Sequence, residues 1–143
     1  PTKPVTLATD GLFAFDRWEL STLAPANQVA LDHLASQVLS NHAPVAISVD
    51  GYTDRIGTEE YNRTLSARRA ASIREYLISV GVPAASITAS GHGPSAPVVE
   101  CPDQDRDALI QSLAPNRRIV VTVLPTNYIA SEGWMAPPLV PPF

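Results

Sequence analysis

Apolar positions recur along this chain with two different periods, and each change of period marks an element. Val45, Ile47 and Val49 alternate with Ala46, Ser48 and Asp50, so the run from Val45 to Tyr52 reads as a strand with one face toward a core. From Thr58 to Val80 there is neither Gly nor Pro. Thr58 is placed to cap a helix, Glu59 and Glu60 bring negative charge to its first turn, and Gly81 and Pro83 end it. This is the longest helix the pattern predicts. A second helix, from near Pro25 to Leu39, follows from Val29, Leu31, Leu34 and Val38 at helical spacing. Strands at about Leu12 to Phe15, Ser86 to Ser90 and Arg118 to Leu124, with a short helix within Asp105 to Leu113, complete the order βαβαβ(α)β. Strands separated by helices need crossovers, which predicts an α/β (α+β) sandwich: a mixed sheet with helices packed on one face.

The long helix carries a conflict. Stepping about 100° per residue, Tyr61, Leu65, Ala70, Ile73, Tyr76, Leu77 and Val80 fall on one half of the wheel. Asn62, Ser66 and Arg69 fall within that same stripe, while Arg63 and Arg74 project from or beyond its edge and Arg68 lies on the far side. A guanidinium on a core-facing stripe needs a carboxylate, from the protein or from a ligand. Asp54 is the nearest candidate: it follows the strand Val45 to Tyr52 and precedes Gly57, where the chain can turn sharply into the helix. Two readings are open. Asp54 and Arg69 pair with each other, or they are held apart as a receptor for a zwitterion, with Asp54 taking an ammonium and Arg69 a carboxylate. The end group of an α-amino acid fits the second.

Gly51-Tyr52-Thr53-Asp54 with Gly57, Tyr61-Asn62, Leu65-Ser66 and Arg69-Ala70 resembles the signature of OmpA-like peptidoglycan-binding domains. The similarity extends from about Leu7 to Leu124. It takes in Phe13-Ala14-Phe15-Asp16, Gly91-His92-Gly93-Pro94-Ser95 with Pro97, and Leu113-Ala114-Pro115-Asn116-Arg117-Arg118. The resemblance implies a domain over residues 7–124, preceded by a linker at 1–6 and followed by a proline-rich tail at 125–143. It implies non-covalent binding of the diaminopimelate residue of a peptidoglycan stem peptide by Asp54 and Arg69. Supporting roles fall to Asn62, Arg117, Thr53 and Leu65, and Asp16 and Trp18 stand at the rim of the pocket. It further implies a periplasmic domain of a Gram-negative bacterium that anchors the outer membrane to the cell wall. Such a domain is not itself inserted in the membrane, is tethered by an upstream barrel or anchor, and needs no cofactor or metal. Relatives often have a second cysteine about a dozen residues after Cys101; Ser112 stands near that place, in a segment one residue shorter.

Composition supports one modest domain: 143 residues, 45% hydrophobic, formal net charge minus four. Without a basic run, nucleic acid and anionic membrane surfaces are poor partners. No apolar stretch approaches the roughly 18 residues of a membrane span, and no export signal opens the chain at Pro1, so a mature piece or fragment is expected. The enzyme alternative, a cell-wall hydrolase, lacks its chemistry. Glu59 and Glu60 read as helix-start charges, and His33, His42 and His92 lie in different elements without ligand spacing. No serine or cysteine sits in a nucleophile motif. The other alternative, a purely protein-interaction domain, leaves Asn62, Ser66 and Arg69 without a reason to face inward. Beyond Leu124, proline density favours extended polyproline backbone, a tail or a strip along the surface.

Overall fold

The computed structural model describes residues 5–11, 13, 17–18, 25–40, 45–102 and 105–125. Four strands, β1 (Val5–Ala8), β2 (Val45–Tyr52), β3 (Ile87–Gly91) and β4 (Arg118–Pro125), form one sheet in the order β1-β4-β2-β3. β4 runs antiparallel to both β1 and β2, whereas β2 and β3 are parallel. The helices are α1 (Pro25–Ser40), α2 (Glu59–Ser79) and α3 (Arg106–Ser112). The parallel β2–β3 pair needs the crossover that α2 provides. The chain's last strand is inserted between β1 and β2.

One face of the sheet is apolar and covered. Leu7, Ile47, Val49, Ile87, Ala89, Ile119 and Val121 are buried together with Leu31, Leu34, Ala35 and Val38 of α1 and Ala70, Ile73 and Leu77 of α2. Alternate residues such as Ser48, Asp50, Thr88 and Thr122 lie on the other face and are only partly covered. The mixed sheet with helices on one face is therefore the observed arrangement, and it follows from the period-2 pattern of the strands.

α2 begins and ends where its cap residues dictate: Thr58 Oγ1 accepts from Tyr61 N at 3.1 Å, and Val80 is the C-cap. It sits unusually close to the sheet. Gly51 and Gly91 are neighbours across β2 and β3. A Cβ at Gly51 would come 2.4 Å from Ser66 O, and one at Gly91 would come 2.2 Å from Ala67 N. Only the missing side chains let the helix backbone rest there. This contact fixes the height of the helix over the β2–α2 loop.

Several expectations are corrected. The first described strand is Val5–Ala8, which begins within the expected linker at 1–6 and continues into the expected domain, while the strand expected at Leu12 to Phe15 lies outside the described residues except for Phe13. Leu7 is the buried member of that short strand, whose neighbours Thr6 and Ala8 are exposed, so its alternation is too brief to stand out. Val29, Tyr61 and Val80 are exposed, not core. Arg74, expected at or beyond the edge of the stripe, is buried: its Nε donates to Ile87 O and its Nη2 to Ala84 O, both at 3.0 Å. Backbone carbonyls at the start of β3 and in the turn before it thus satisfy a cation that a wheel would leave in water. The tail beyond Pro125 lies outside the described residues, as does His42.

Cys101 is a free thiol whose Sγ approaches Ser112 O at 3.4 Å. Ser112 thus lies beside the thiol. Ser112→Cys is expected to close a disulfide across residues 101–112, adding about 2 to 3 kcal/mol of stability. Thermal unfolding with and without reductant checks this; a melting temperature indifferent to reductant refutes it.

Candidate functional site

Strand polarity brings three chain ends together. The end of β1, the end of β2 and the start of β4 meet at one edge, because Ala8 and Tyr52 both face Arg118 across their ladders. The residues just beyond those ends are Asp10, Asp54 and Arg117, and they form one ionic group. Arg117 Nη1 donates to Asp54 Oδ2 at 2.8 Å, while its Nε and Nη2 each approach Asp10 carboxylate oxygens at 3.0 Å. Nη1 also donates to Ile110 O of α3 at 2.9 Å. Burial alone would lower the Arg117 pKa, but the hydrogen bonds it donates to Asp10 and Asp54, with their negative charge, outweigh burial and raise the pKa above its ordinary value. The guanidinium is permanently charged.

Asp54 is held from its own side as well. Its Oδ1 accepts from Ile56 N at 3.0 Å, an Asx-type turn, and Gly57 follows with φ of 97°, which turns the chain into α2. Asn62, 4% exposed, donates from Nδ2 to Ile56 O at 2.9 Å and to Asp54 O at 3.4 Å. Thr53 N donates to Gly93 O at 2.8 Å. Ser66 Oγ donates to Arg63 O and accepts from Gly93 N, both at 3.0 Å. The inward-facing Asn62 and Ser66 are thus accounted for by the loops they hold, which corrects the expectation that they would have no reason to face inward in a domain without a peptidoglycan site.

Arg69 is 7% exposed. Its Nε donates to Arg17 O at 2.8 Å, and its guanidinium lies over the Phe13 ring, 5.2 Å from the centroid. Asp54 and Arg69 do not hydrogen-bond to each other; the partner of Asp54 is Arg117. Both nonetheless line one cleft of about 430 Å³, together with Asp10, Thr53, Asn62, Leu65 and Arg117 and the apolar Phe13, Ile56 and Ile110. Tyr61, Gly57 and Arg106 complete the wall. Of the predicted site residues, Asp54, Arg69, Asn62, Arg117, Thr53 and Leu65 are therefore brought together. Trp18 is not among the lining residues. Its ring lies under the guanidinium of Arg68, 4.5 Å away, and its carbonyl accepts from Ser72 Oγ, so it packs on the flank of α2. Asp16 lies outside the described residues.

Asp10 went unrecognised in the sequence. It is 107 residues from Arg117, and no local pattern connects them. The two described histidines do not converge: His33 is exposed, and His92 bonds Asp50 Oδ1 at 2.7 Å and stacks on Tyr52 on the opposite face of the sheet. Burial, with Asp50 adding to it, raises the Tyr52 pKa. Among the described residues, no cluster of His, Cys, Asp and Glu is arranged for a metal ion.

A two-layer α/β domain with a charged cleft at the strand ends is the class that this fold and site define. The chain belongs to the OmpA family, which matches residues 12–111. It is 50% identical over 127 residues to outer membrane protein A of Shimwellia blattae, covering 85% of this chain and 51% of that protein. Among solved structures it is similar to the peptidoglycan-associated lipoprotein of Burkholderia pseudomallei, with TM-score 0.64 and 31% identity over 78% of this chain and 86% of that one. It is also similar to the cell wall anchor of the T6SS of Pseudomonas aeruginosa, with TM-score 0.65 and 26% identity over 87% and 82%. The chain spans about half or less of the length of the curated relatives it matches.

Proposed function

We propose that this chain binds peptidoglycan without covalent chemistry, holding the zwitterionic end of a diaminopimelate side chain between Asp54 and Arg69. The observation that carries this reading is that a carboxylate and a guanidinium line the same cleft without pairing to each other. An ammonium can add to the Asp54 carboxylate, which has lone pairs beyond those used by Ile56 N and Arg117. A carboxylate can meet the positive charge of Arg69, and Leu65, Phe13 and Ile56 suit the methylene chain between. Thr53, Asn62 and Arg117 fix the loop and its charge. The similar proteins include a peptidoglycan-associated lipoprotein and a cell wall anchor, which supports a role at the cell wall. In the cell, the domain of residues 7–124 would sit in the periplasm of a Gram-negative bacterium and tie an outer-membrane anchor upstream to the wall.

Catalysis is not part of the proposal. No histidine, serine or cysteine lines the cleft among the described residues, and its two carboxylates share one guanidinium.

Calorimetry with two tripeptides tests the specificity. A lysine stem offers the ammonium but no carboxylate, so one charge-assisted contact of about 1.5 to 3 kcal/mol is lost. The diaminopimelate tripeptide is expected to bind about tenfold or more tightly than its lysine analogue. Equal affinities would overturn the zwitterion reading.

A further inference from the structure

We infer that Asp10 is a positioning residue that keeps the ammonium end of the cleft negative, and so decides whether the site accepts a zwitterion or only an anion. This rests on the proposed function above. Three guanidiniums, from Arg69, Arg106 and Arg117, line the cleft against two carboxylates, from Asp10 and Asp54. Arg117 contacts both carboxylates, so the group Asp10, Arg117 and Asp54 carries one net negative charge. Without the Asp10 charge that group is neutral.

The geometry assigns the two carboxylates different tasks. Asp10 grips the Nε and Nη2 edge of Arg117 and leaves only Nη1 for Asp54. Its own side chain is 59% exposed, while those of Arg117 and Asp54 are 16% and 12%. Asp54 is thus the carboxylate sunk in the cleft, and Asp10 is the outer one that absorbs the charge of Arg117 and anchors its orientation. Removing the Asp10 charge acts on an incoming ammonium indirectly, by making the field of the cleft less negative and by loosening the hold on Arg117. A ligand with a carboxylate and no ammonium would feel the opposite effect.

The test uses Asp10→Asn, which retains shape and a carbonyl acceptor for Arg117, and Asp10→Glu, which retains the charge. Two probes are titrated by calorimetry at low and high salt: a diaminopimelate tripeptide, and the same peptide built with 2-aminopimelate, which lacks only the distal amine. For Asp10→Asn the expected result is about fivefold weaker binding of the diaminopimelate probe, with the 2-aminopimelate probe unchanged or tighter, and both effects shrinking in salt. Asp10→Glu should stay close to the parent. Should Asn not be tolerated, Asp10→Ser makes the same charge change at an exposed side chain. Equal weakening of both probes, or no change in either, overturns the inference while leaving the proposed function standing. If the parent chain binds neither probe, the proposed function falls first, and the inference with it.

Discussion

Arg69→Ala is expected to reduce sedimentation of the chain with purified peptidoglycan sacculi to background, and Asp54→Asn to do the same. Each substitution removes one of the two charges that a zwitterion would meet, and charge-assisted hydrogen bonds contribute about 1.5 to 3 kcal/mol apiece. Two such bonds from one guanidinium amount to a loss of about a hundredfold or more in affinity. The choice of side chain matters at position 54. Its Oδ1 holds Ile56 N and its Oδ2 holds Arg117, so alanine would unbuckle the loop as well as discharge it. Asparagine keeps one acceptor, its amide oxygen, for Ile56 N and so spares the loop turn, while its NH2 cannot accept from Arg117, so the charge and that contact are lost together. Circular dichroism and thermal unfolding alongside the pull-down separate binding from folding. If both folded variants still sediment like the parent, the clamp is wrong.

Gly91→Ala is expected to be the most damaging single methyl group in the chain. The new Cβ would lie 2.2 Å from Ala67 N and 2.5 Å from Ala67 Cα, in the middle of a 21-residue helix that cannot bend locally out of the way. The clash is with backbone, so no rotamer change relieves it. Either α2 lifts off β2 and β3, giving up contacts made by Ala70, Ile73 and Leu77, or the strand end buckles. Overpacking of this kind costs about 3 kcal/mol or more where the surroundings cannot yield. A fall of about 10 °C or more in melting temperature follows for a domain of this size. Gly51→Ala, facing Ser66 O at 2.4 Å, should behave alike. Loss of binding is expected to accompany loss of stability, because lifting α2 moves Asn62 and Arg69 away from the loop that carries Asp54. A melting temperature within about 2 °C of the parent would remove the close-contact account.

How far the site was legible depended on the range of each interaction. α2 was readable because its signals are local: Thr58 at the cap, glutamates in the first turn, Gly81 after the end, and a stripe that placed Asn62, Ser66 and Arg69 inward. The wheel also separated Arg69, buried, from Arg68, exposed over Trp18. It failed at Arg74, whose burial depends on carbonyls some ten residues away that no periodicity announces. It failed again at Tyr61, because a position on the core-facing half near the helix start meets the open cleft instead of the sheet. The partner of Asp54 stayed open in the sequence for a related reason. Arg69 was the visible partner within one local motif, whereas Arg117 arrives from the other end of the chain through the order of strands. A motif can reveal which side chains turn inward; only topology reveals which of them meet.

The placement of β4 between β1 and β2 has a consequence for how the chain comes into being. Until residues 118–125 are in place, β1 has no neighbour in the sheet, since its ladder is with β4. Arg117, at the head of that same strand, supplies the cation that joins Asp10 to Asp54. The final stretch of the domain to leave the ribosome therefore completes the architecture and the cleft in a single event. A chain caught short of it would have neither, so a partly made copy would lack the cation that ties Asp10 to Asp54.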